Sequence, residues 1–381
     1  MSTSHDARLR IGILGAANIA RSFIAGVAAS ETVGVTAIAS RDIGKARRFA
    51  SETGVQRAYG SYEELLADPV IDAIYNPLPN ALHAQWSIRA CEAGKHVLCE
   101  KPLAISGGEA RAMFAAARRH EVVLVEGFPY RAQPHALKLK ELVTGGAIGR
   151  VQTMHAAFGF TLTDEANIRL DPALGGGALM DLGTYPVSLT RLVAGERPVR
   201  VQALAQWRRS GVDQTLVANM EHAGGLLAQI SCSFCTRSHR QALIVGTSGA
   251  IKTTYPNHAA VDRSPVLQLK RGPASDALYE DIAVQACDGF RAEAESFERL
   301  IRLGPGHWTG VAPDESIDIV LTLEAILESA RSRQPITVAG CGASAGRRAR
   351  WVSSGLCGAS NLSPQDAGIN LGYVGAAGEG E

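Results

Sequence analysis

Residues 10–20 read Arg10-Ile11-Gly12-Ile13-Leu14-Gly15-Ala16-Ala17-Asn18-Ile19-Ala20. The apolar run 10–14 has the composition of a buried strand, and helical periodicity runs from Asn18 to Ala29. Between them lies a tight turn opened by Gly15. Such a turn gathers backbone N–H groups at a helix N-terminus, where they bind a phosphate. Only the first glycine of the dinucleotide fingerprint is present; Ala17 and Ala20 fill the second and third positions. The motif is weak alone and gains weight from opening a series of strand–helix units.

That series continues outward. Val35–Ala39 reads as a strand and Ile43–Thr53 as a helix. A short helix, Ser61–Ala67, has Ser61 as N-cap and Glu64 at the capping-box position. Strands Ala73–Tyr75, His96–Cys99 and Val122–Glu126 alternate with helices Pro79–Ala93, ended by Gly94, and Ser106–His120. Uniformly apolar strands separated by helices predict a parallel sheet buried on both faces. Residues 9–131 therefore read as a Rossmann domain, preceded by a polar extension, 1–8.

Near Pro129 the pattern changes. A helix over Gln133–Thr144 leads to longer strands of alternating polarity at 151–160, 199–207, 215–222, 225–234, 241–247 and 250–255. These predict a large, mostly antiparallel open sheet with one buried face. Helices Gly177–Leu192, Phe290–Leu303 and Asp314–Ser332 are expected to complete this second α/β domain, 132–339. Residues 340–381 are rich in Gly, Ala and Ser without apolar periodicity and read as a disordered tail.

The 381 residues suit two domains of roughly 100–200 each. Lys plus Arg is 38 against 37 Asp plus Glu, so no charge footprint points to nucleic acid or an anionic membrane. No apolar run approaches the ~20 residues of a membrane helix, and the first ten residues have no signal-peptide core. Seven scattered cysteines fit a reducing, cytoplasmic setting. Cys232 and Cys235 lack a second pair or a His cluster, so no metal site is expected.

The second strand ends at Ser40-Arg41, with Lys45 one helical turn later. A carboxylate there would hold the ribose 2′-hydroxyl of NAD. A hydroxyl and a guanidinium suit the 2′-phosphate of NADP instead. NADP is the expected cofactor and NAD the less favoured alternative.

Three further stretches carry a resemblance. They are Asn76-Pro77-Leu78-Pro79-Asn80 followed by His83, Gly94-Lys95-His96-Val97-Leu98-Cys99-Glu100-Lys101-Pro102, and Gly175-Gly176-Gly177-Ala178-Leu179-Met180-Asp181-Leu182-Gly183-Thr184-Tyr185. In this order the chain resembles the Gfo/Idh/MocA oxidoreductases over about residues 9–339. Glu126–Arg131 and Asn167–Leu170 are most similar to the subgroup of NADP-dependent aldose 1-dehydrogenases, dihydrodiol dehydrogenases and glucose-fructose oxidoreductase.

The resemblance implies reversible hydride transfer between NADP(H) and a sugar or sugar-like alcohol. It also implies a homodimer or homotetramer built on the open sheet. It assigns Gly15, Ala17, Asn18, Ile19, Asn76, Pro77, Leu78, His83, Glu100 and Lys101 to the cofactor, with Ser40, Arg41 and Lys45 at the 2′-phosphate. Lys101 is the implied catalytic lysine, and the acid/base position falls on Tyr185. Arg131 and Arg169 are implied pocket residues.

Oxidising a carbinol needs a proton acceptor, a hydride acceptor and a counter-charge for the alkoxide. A free phenol titrates at about 10, too high for a base at neutral pH without a cationic neighbour such as Lys101. Asp181 and Tyr185 lie four apart on a predicted helix and so face one side. Asp181 then binds a sugar hydroxyl or orients Lys101, and Gly175–Gly177 let the backbone approach the substrate. The leading expectation is oxidation of an aldose at C1 to a lactone. A dismutating aldose oxidoreductase with tightly bound NADP, a dihydrodiol dehydrogenase and a keto-sugar reductase remain open. So does a non-catalytic NADP-sensing regulator.

Overall fold

The computed structural model describes residues 8–257, 265–272 and 277–340. The N-terminal domain runs β1 (Leu9–Leu14), α1 (Asn18–Val27), β2 (Val33–Ala39), α2 (Ile43–Thr53), β3 (Arg57–Tyr59), α3 (Tyr62–Ala67), β4 (Ala73–Asn76), α4 (His83–Glu92), β5 (His96–Glu100), α5 (Gly107–Arg119) and β6 (Leu124–Gly127). The strands form a parallel sheet in the order β3-β2-β1-β4-β5-β6. This is the order of the doubly wound dinucleotide-binding fold, which binds ligands at the C-terminal ends of its strands where the order reverses, between β1 and β4. Ser61 and Ser106 cap α3 and α5 by accepting the N–H of Glu64 and Glu109. Glu64 reaches back to the N–H of Gly60, not to that of the cap residue itself.

The second domain contains α6 (Pro134–Thr144), β7 (Val151–Thr161), α7 (Thr184–Ala194), β8 (Arg200–Trp207), β9 (Asp213–Glu221), β10 (Leu227–Ser233), β11 (Cys235–Gly246), β12 (Gly249–Thr254), β13 (Leu267–Arg271) and β14 (Glu280–Asp281). The chain continues through α8 (Gly289–Leu303) to α9 (Pro313–Ser332) and β15 (Ile336–Thr337), which return to this domain. Its nine strands run β14-β13-β12-β11-β7-β10-β9-β8-β15. All neighbours are antiparallel except β10 and β7. Met154, Ala156, Val201, Ala203, Leu216, Ala218 and Ile230 form the covered face, against which α7 and α9 pack.

Two expectations are corrected. Helix α8 does not close the second domain. Its buried stripe of Phe290, Ala294, Phe297 and Leu300 joins the core formed by Phe23, Val27 and Tyr75 of the Rossmann domain. Phe23 stacks on Tyr75 at 4.0 Å and meets Phe290 edge-on at 6.0 Å. An amphipathic stripe specifies that a helix is buried, not which sheet buries it. The second correction concerns the expected helix 177–192. Leu179–Gly183 forms a π-helical turn before α7 begins. The expected tail lies outside the described residues beyond Gly340, as does the N-terminal extension up to residue 7.

Candidate active site

The cofactor cradle begins at Gly15, whose φ of +90° is the left-handed region that favours glycine. A Cβ there would meet Leu78 Cδ2 at 2.9 Å, so the glycine also lets the Pro77-Leu78 loop close over the turn. Helix α1 has neither a side-chain cap nor an acidic residue in its first turn. Its leading amides, at Asn18 and Ile19, are matched to a dinucleotide phosphate by charge and donor count. Ser40 is buried at the end of β2, and Arg41 and Lys45 are exposed beside it. The adjacent carboxylate, Asp42, is spent on capping α2 through the N–H groups of Gly44 and Lys45. These residues fit NADP.

The loop after β4 is built from within. Asn76 donates to the His83 carbonyl oxygen (3.3 Å) and to Ser87 Oγ (3.0 Å), and its Oδ1 accepts the N–H of Leu78. Expected at the cofactor, Asn76 is fully buried with its amide committed, and it shapes the loop that presents Pro77, Leu78 and Pro79. His83 reaches the cleft wall, but its two ring nitrogens sit 2.8 Å from the Pro102 oxygen and 2.7 Å from the Leu78 oxygen. Burial pushes it down to about 4. The neutral imidazole donates from one nitrogen to one of these carbonyl oxygens and packs its other nitrogen against the second, so it sits between the Pro77-Leu78 loop and the Glu100-Lys101-Pro102 loop with both nitrogens facing protein.

Lys101 follows β5, and its bond to Pro102 is cis. Its ammonium donates to the backbone oxygen (3.0 Å) and Oδ1 (3.2 Å) of Asp181 and lies 4.9 Å from the Tyr185 ring centroid. Burial works against this cation, but Tyr185, Asp181 and Glu100 outweigh it and hold it above the ordinary lysine value. Glu100 is raised by burial, partly offset by Lys101, and accepts a 2.7 Å hydrogen bond from Tyr75. Asp181 Oδ2 accepts from Arg169 Nε at 2.6 Å. Burial opposes the Asp181 charge, yet Lys101 and Arg169 keep its carboxyl below the usual range.

Arg169, Asp181 and Tyr185 thus converge as expected, although the segment bearing Asp181 is a π turn. Arg131 does not join them. It is buried, donates to the Ser188 oxygen at 3.1 Å and pairs with Glu315 at 3.2 Å, tying the short turn after β6 to α7 and α9. Two of the three glycines are also needed by the protein's own packing. A Cβ on Gly176 would strike the Arg169 backbone, and one on Gly177 the Asp213 carboxylate. Asp213, pushed up to about 6 by burial, accepts the Leu179 N–H at 2.7 Å and so anchors the π turn.

Lys101, Asp181, Tyr185 and Arg169 line a cavity of about 510 Å³ that runs continuously from Ala17, Asn18 and Ile19. Phe158, Phe160 and Asn257 also line it, and Arg240 lies 4.0 Å from the Tyr185 ring centroid. The sequence reading missed these four. The alternating strand 151–160 implied inward-facing residues without marking which reach the cleft. Among the described residues no cluster of His, Cys, Asp and Glu is arranged to hold a metal ion.

A parallel sheet in this strand order, a phosphate cradle at its switch point and a Lys-Tyr-Asp group at the strand ends define a dinucleotide-dependent oxidoreductase architecture. The chain belongs to the Gfo/Idh/MocA family. Residues 9–128 match the oxidoreductase family's NAD-binding Rossmann fold, and residues 136–252 match the GFO/IDH/MocA C-terminal domain. The chain is 38% identical over 327 residues to D-xylose 1-dehydrogenase (NADP(+)) 2 of Haloferax volcanii, covering 85% of this chain and 98% of that one. It is 37% identical over 303 residues to trans-1,2-dihydrobenzene-1,2-diol dehydrogenase of Danio rerio, covering 78% and 89%. The crystal structure of aldose-aldose oxidoreductase from Caulobacter crescentus, complexed with glycerol, superposes with a TM-score of 0.78 at 27% identity. That match covers 87% of this chain and all of that one.

Proposed function

We propose that the protein is an NADP-dependent dehydrogenase that oxidises an aldose at C1 to its lactone, with Tyr185 as general acid/base. The observation that carries this is the convergence of Lys101, Asp181 and Tyr185 in one cavity with the α1 phosphate cradle. In the oxidative direction Tyr185, having first released its own proton to solvent, takes up the C1 hydroxyl proton on its phenolate Oη. The C1–H bond breaks, its electron pair leaves as hydride and C1–O becomes a double bond. Bound NADP⁺ supplies the hydride acceptor. Lys101 offsets the growing alkoxide charge. Asp181 spends both carboxylate oxygens on Lys101 and Arg169, so its part is to orient these cations.

The half-buried rings of Phe158 and Phe160 favour a second reading, oxidation of a flat cyclic diol. Absorbance at 340 nm separates the two. NADP⁺ reduction with D-xylose or D-glucose supports the aldose reading, and reduction with a trans-dihydrodiol alone supports the other. A Tyr185→Phe enzyme that keeps the wild-type kcat refutes the acid/base assignment.

The proposal extends to a cytoplasmic homodimer or homotetramer formed through the open face of the nine-stranded sheet. No helix among the described residues is long and apolar enough to cross a membrane. Leu204, Val217 and Leu227 project from the open face at 63%, 42% and 59% exposure, beside two hollows of about 480 and 500 Å³. Light scattering that finds a monomer removes this part.

A further inference from the structure

Tyr185 has further polar neighbours besides Lys101. Asn257 Nδ2 donates to Tyr185 Oη at 2.6 Å. Arg240 Nη2 donates to Asn257 Oδ1 at 3.2 Å. Arg240 stands opposite Phe158 in the β11–β7 pairing, within a ring of aromatics. Its guanidinium carbon lies 4.0 Å from the Tyr185 centroid, 4.7 Å from Phe158, 4.8 Å from Tyr255 and 5.6 Å from Tyr130. Its Nε is sealed from solvent with no hydrogen-bond partner among the described residues. Burying a guanidinium that pairs with no carboxylate among the described residues is costly, and cation–π contact recovers about 2 kcal/mol or more when desolvated. A cation held this way calls for a specific task.

The task follows from which atoms can donate. An asparagine amide has an oxygen end and a nitrogen end that can exchange by rotation. Arginine has only donors, so the oxygen end must face Arg240 and the N–H end must face Tyr185. Gln133 fixes the backbone of the same residue, with Nε2 donating to the oxygens of Pro256 (2.9 Å) and Asn257 (2.8 Å). With one lone pair of Oη filled by the amide, the phenol proton is left to point into the cleft. A hydrogen bond to an oxygen is strongest when that oxygen is anionic, the form that takes up a substrate proton.

We propose that Asn257 is an obligate hydrogen-bond donor to Tyr185 Oη and that Arg240 is the positioning residue that keeps it a donor. This rests on the reading of Tyr185 as the acid/base. The donor chain Arg240 → Asn257 → Tyr185 sets the direction in which the phenol exchanges its proton, while Lys101 supplies charge nearby.

The decisive variant is Asn257→Asp. It keeps the shape and the oxygen for Arg240 but cannot donate to Oη. With NADP⁺ and D-xylose, kcat is expected to fall at least thirtyfold with KM changed less than threefold, at an unchanged thermal midpoint. Arg240→Leu, which frees the amide to rotate, lowers kcat about tenfold, and Arg240→Lys recovers most of that loss. A kcat within twofold of wild type for Asn257→Asp overturns the proposal. Should that variant not fold, an unchanged kcat in Arg240→Leu does so.

A substrate-free measurement covers the case in which D-xylose is not turned over. In protein labelled with [13Cζ]tyrosine, the Tyr185 resonance is identified by its loss in Tyr185→Phe. It shifts in Asn257→Asp as the phenol changes from acceptor to donor, and a resonance that stays in place refutes the inference. Wild-type turnover in Tyr185→Phe would instead refute the acid/base reading beneath it, so the two failures are distinct.

Discussion

Lys101 and Asp181 meet at two points. The ammonium donates both to the backbone oxygen and to the side-chain Oδ1 of the same residue, at 3.0 and 3.2 Å. The chelate joins the strand-end loop of the Rossmann domain to the π turn of the second domain, so it holds the site together as well as charging it. Because the backbone contact survives loss of the carboxylate, Asp181→Asn is expected to lower kcat about 10–100-fold. Lys101→Met, which removes the cation itself, costs about 100–1,000-fold. In the double variant the losses do not multiply, since both residues act through one unit. Steady-state kinetics on the four proteins reads this, and multiplicative losses would separate their roles.

We propose that cofactor choice turns on Arg41. It is exposed beside Ser40, and the adjacent carboxylate, Asp42, is committed to capping α2. A charge-assisted contact to a 2′-phosphate is worth about 1.5–3 kcal/mol. Arg41→Ala is therefore expected to cut the ratio of kcat/KM for NADP⁺ over NAD⁺ by about 10–100-fold, mostly through KM. An unchanged ratio would move 2′-phosphate recognition elsewhere on the chain.

Glu126 gives stability a defined pH dependence. The fully buried carboxyl accepts the Leu103 N–H through Oε1, and burial pushes it up to about 7. An unfolded Glu titrates near 4.3. The folded protein therefore holds a proton that the unfolded chain releases. The resulting stabilisation is complete below about pH 4.3 and fades as pH rises through 7. Up to about 3 kcal/mol is lost between pH 5 and 8, by the same linkage. Glu126→Gln keeps the acceptor for Leu103 and removes the titration. Urea unfolding at pH 5, 6, 7 and 8 should show a shallower decline in this variant. An identical slope in both proteins would mean that Glu126 does not titrate there.

The Rossmann half was legible because strands buried on both faces are apolar throughout, and because caps such as Ser61 and Ser106 mark helix starts locally. The placement of α8 was not, because its stripe of Phe290, Ala294, Phe297 and Leu300 suits either sheet. The π turn at Leu179–Gly183 was not, because its anchor, Asp213, comes thirty or so residues later. Arg131 was misplaced because a four-residue turn has no periodicity to say which side faces the cleft. Asn257 and Arg240 belong to strands and loops that only the folded sheet brings to Tyr185, and nothing local marks either as special.

Gly177 tests whether the glycine triplet serves the protein's own packing. Its φ is +121°, a conformation side chains rarely adopt, and a Cβ would overlap the carboxylate of Asp213 that anchors the π turn. Gly177→Ala must either displace Asp213 or shift the start of the turn that carries Asp181. Backbone strain of this kind costs about 1–3 kcal/mol, and displacing the buried acceptor of the Leu179 N–H adds about 1–3 more. The expected result is a lower thermal midpoint together with a kcat reduced by about tenfold or more, because Lys101 loses its alignment. If the glycine served only close approach of substrate, KM would rise while the midpoint stayed put, and that outcome would overturn the packing account.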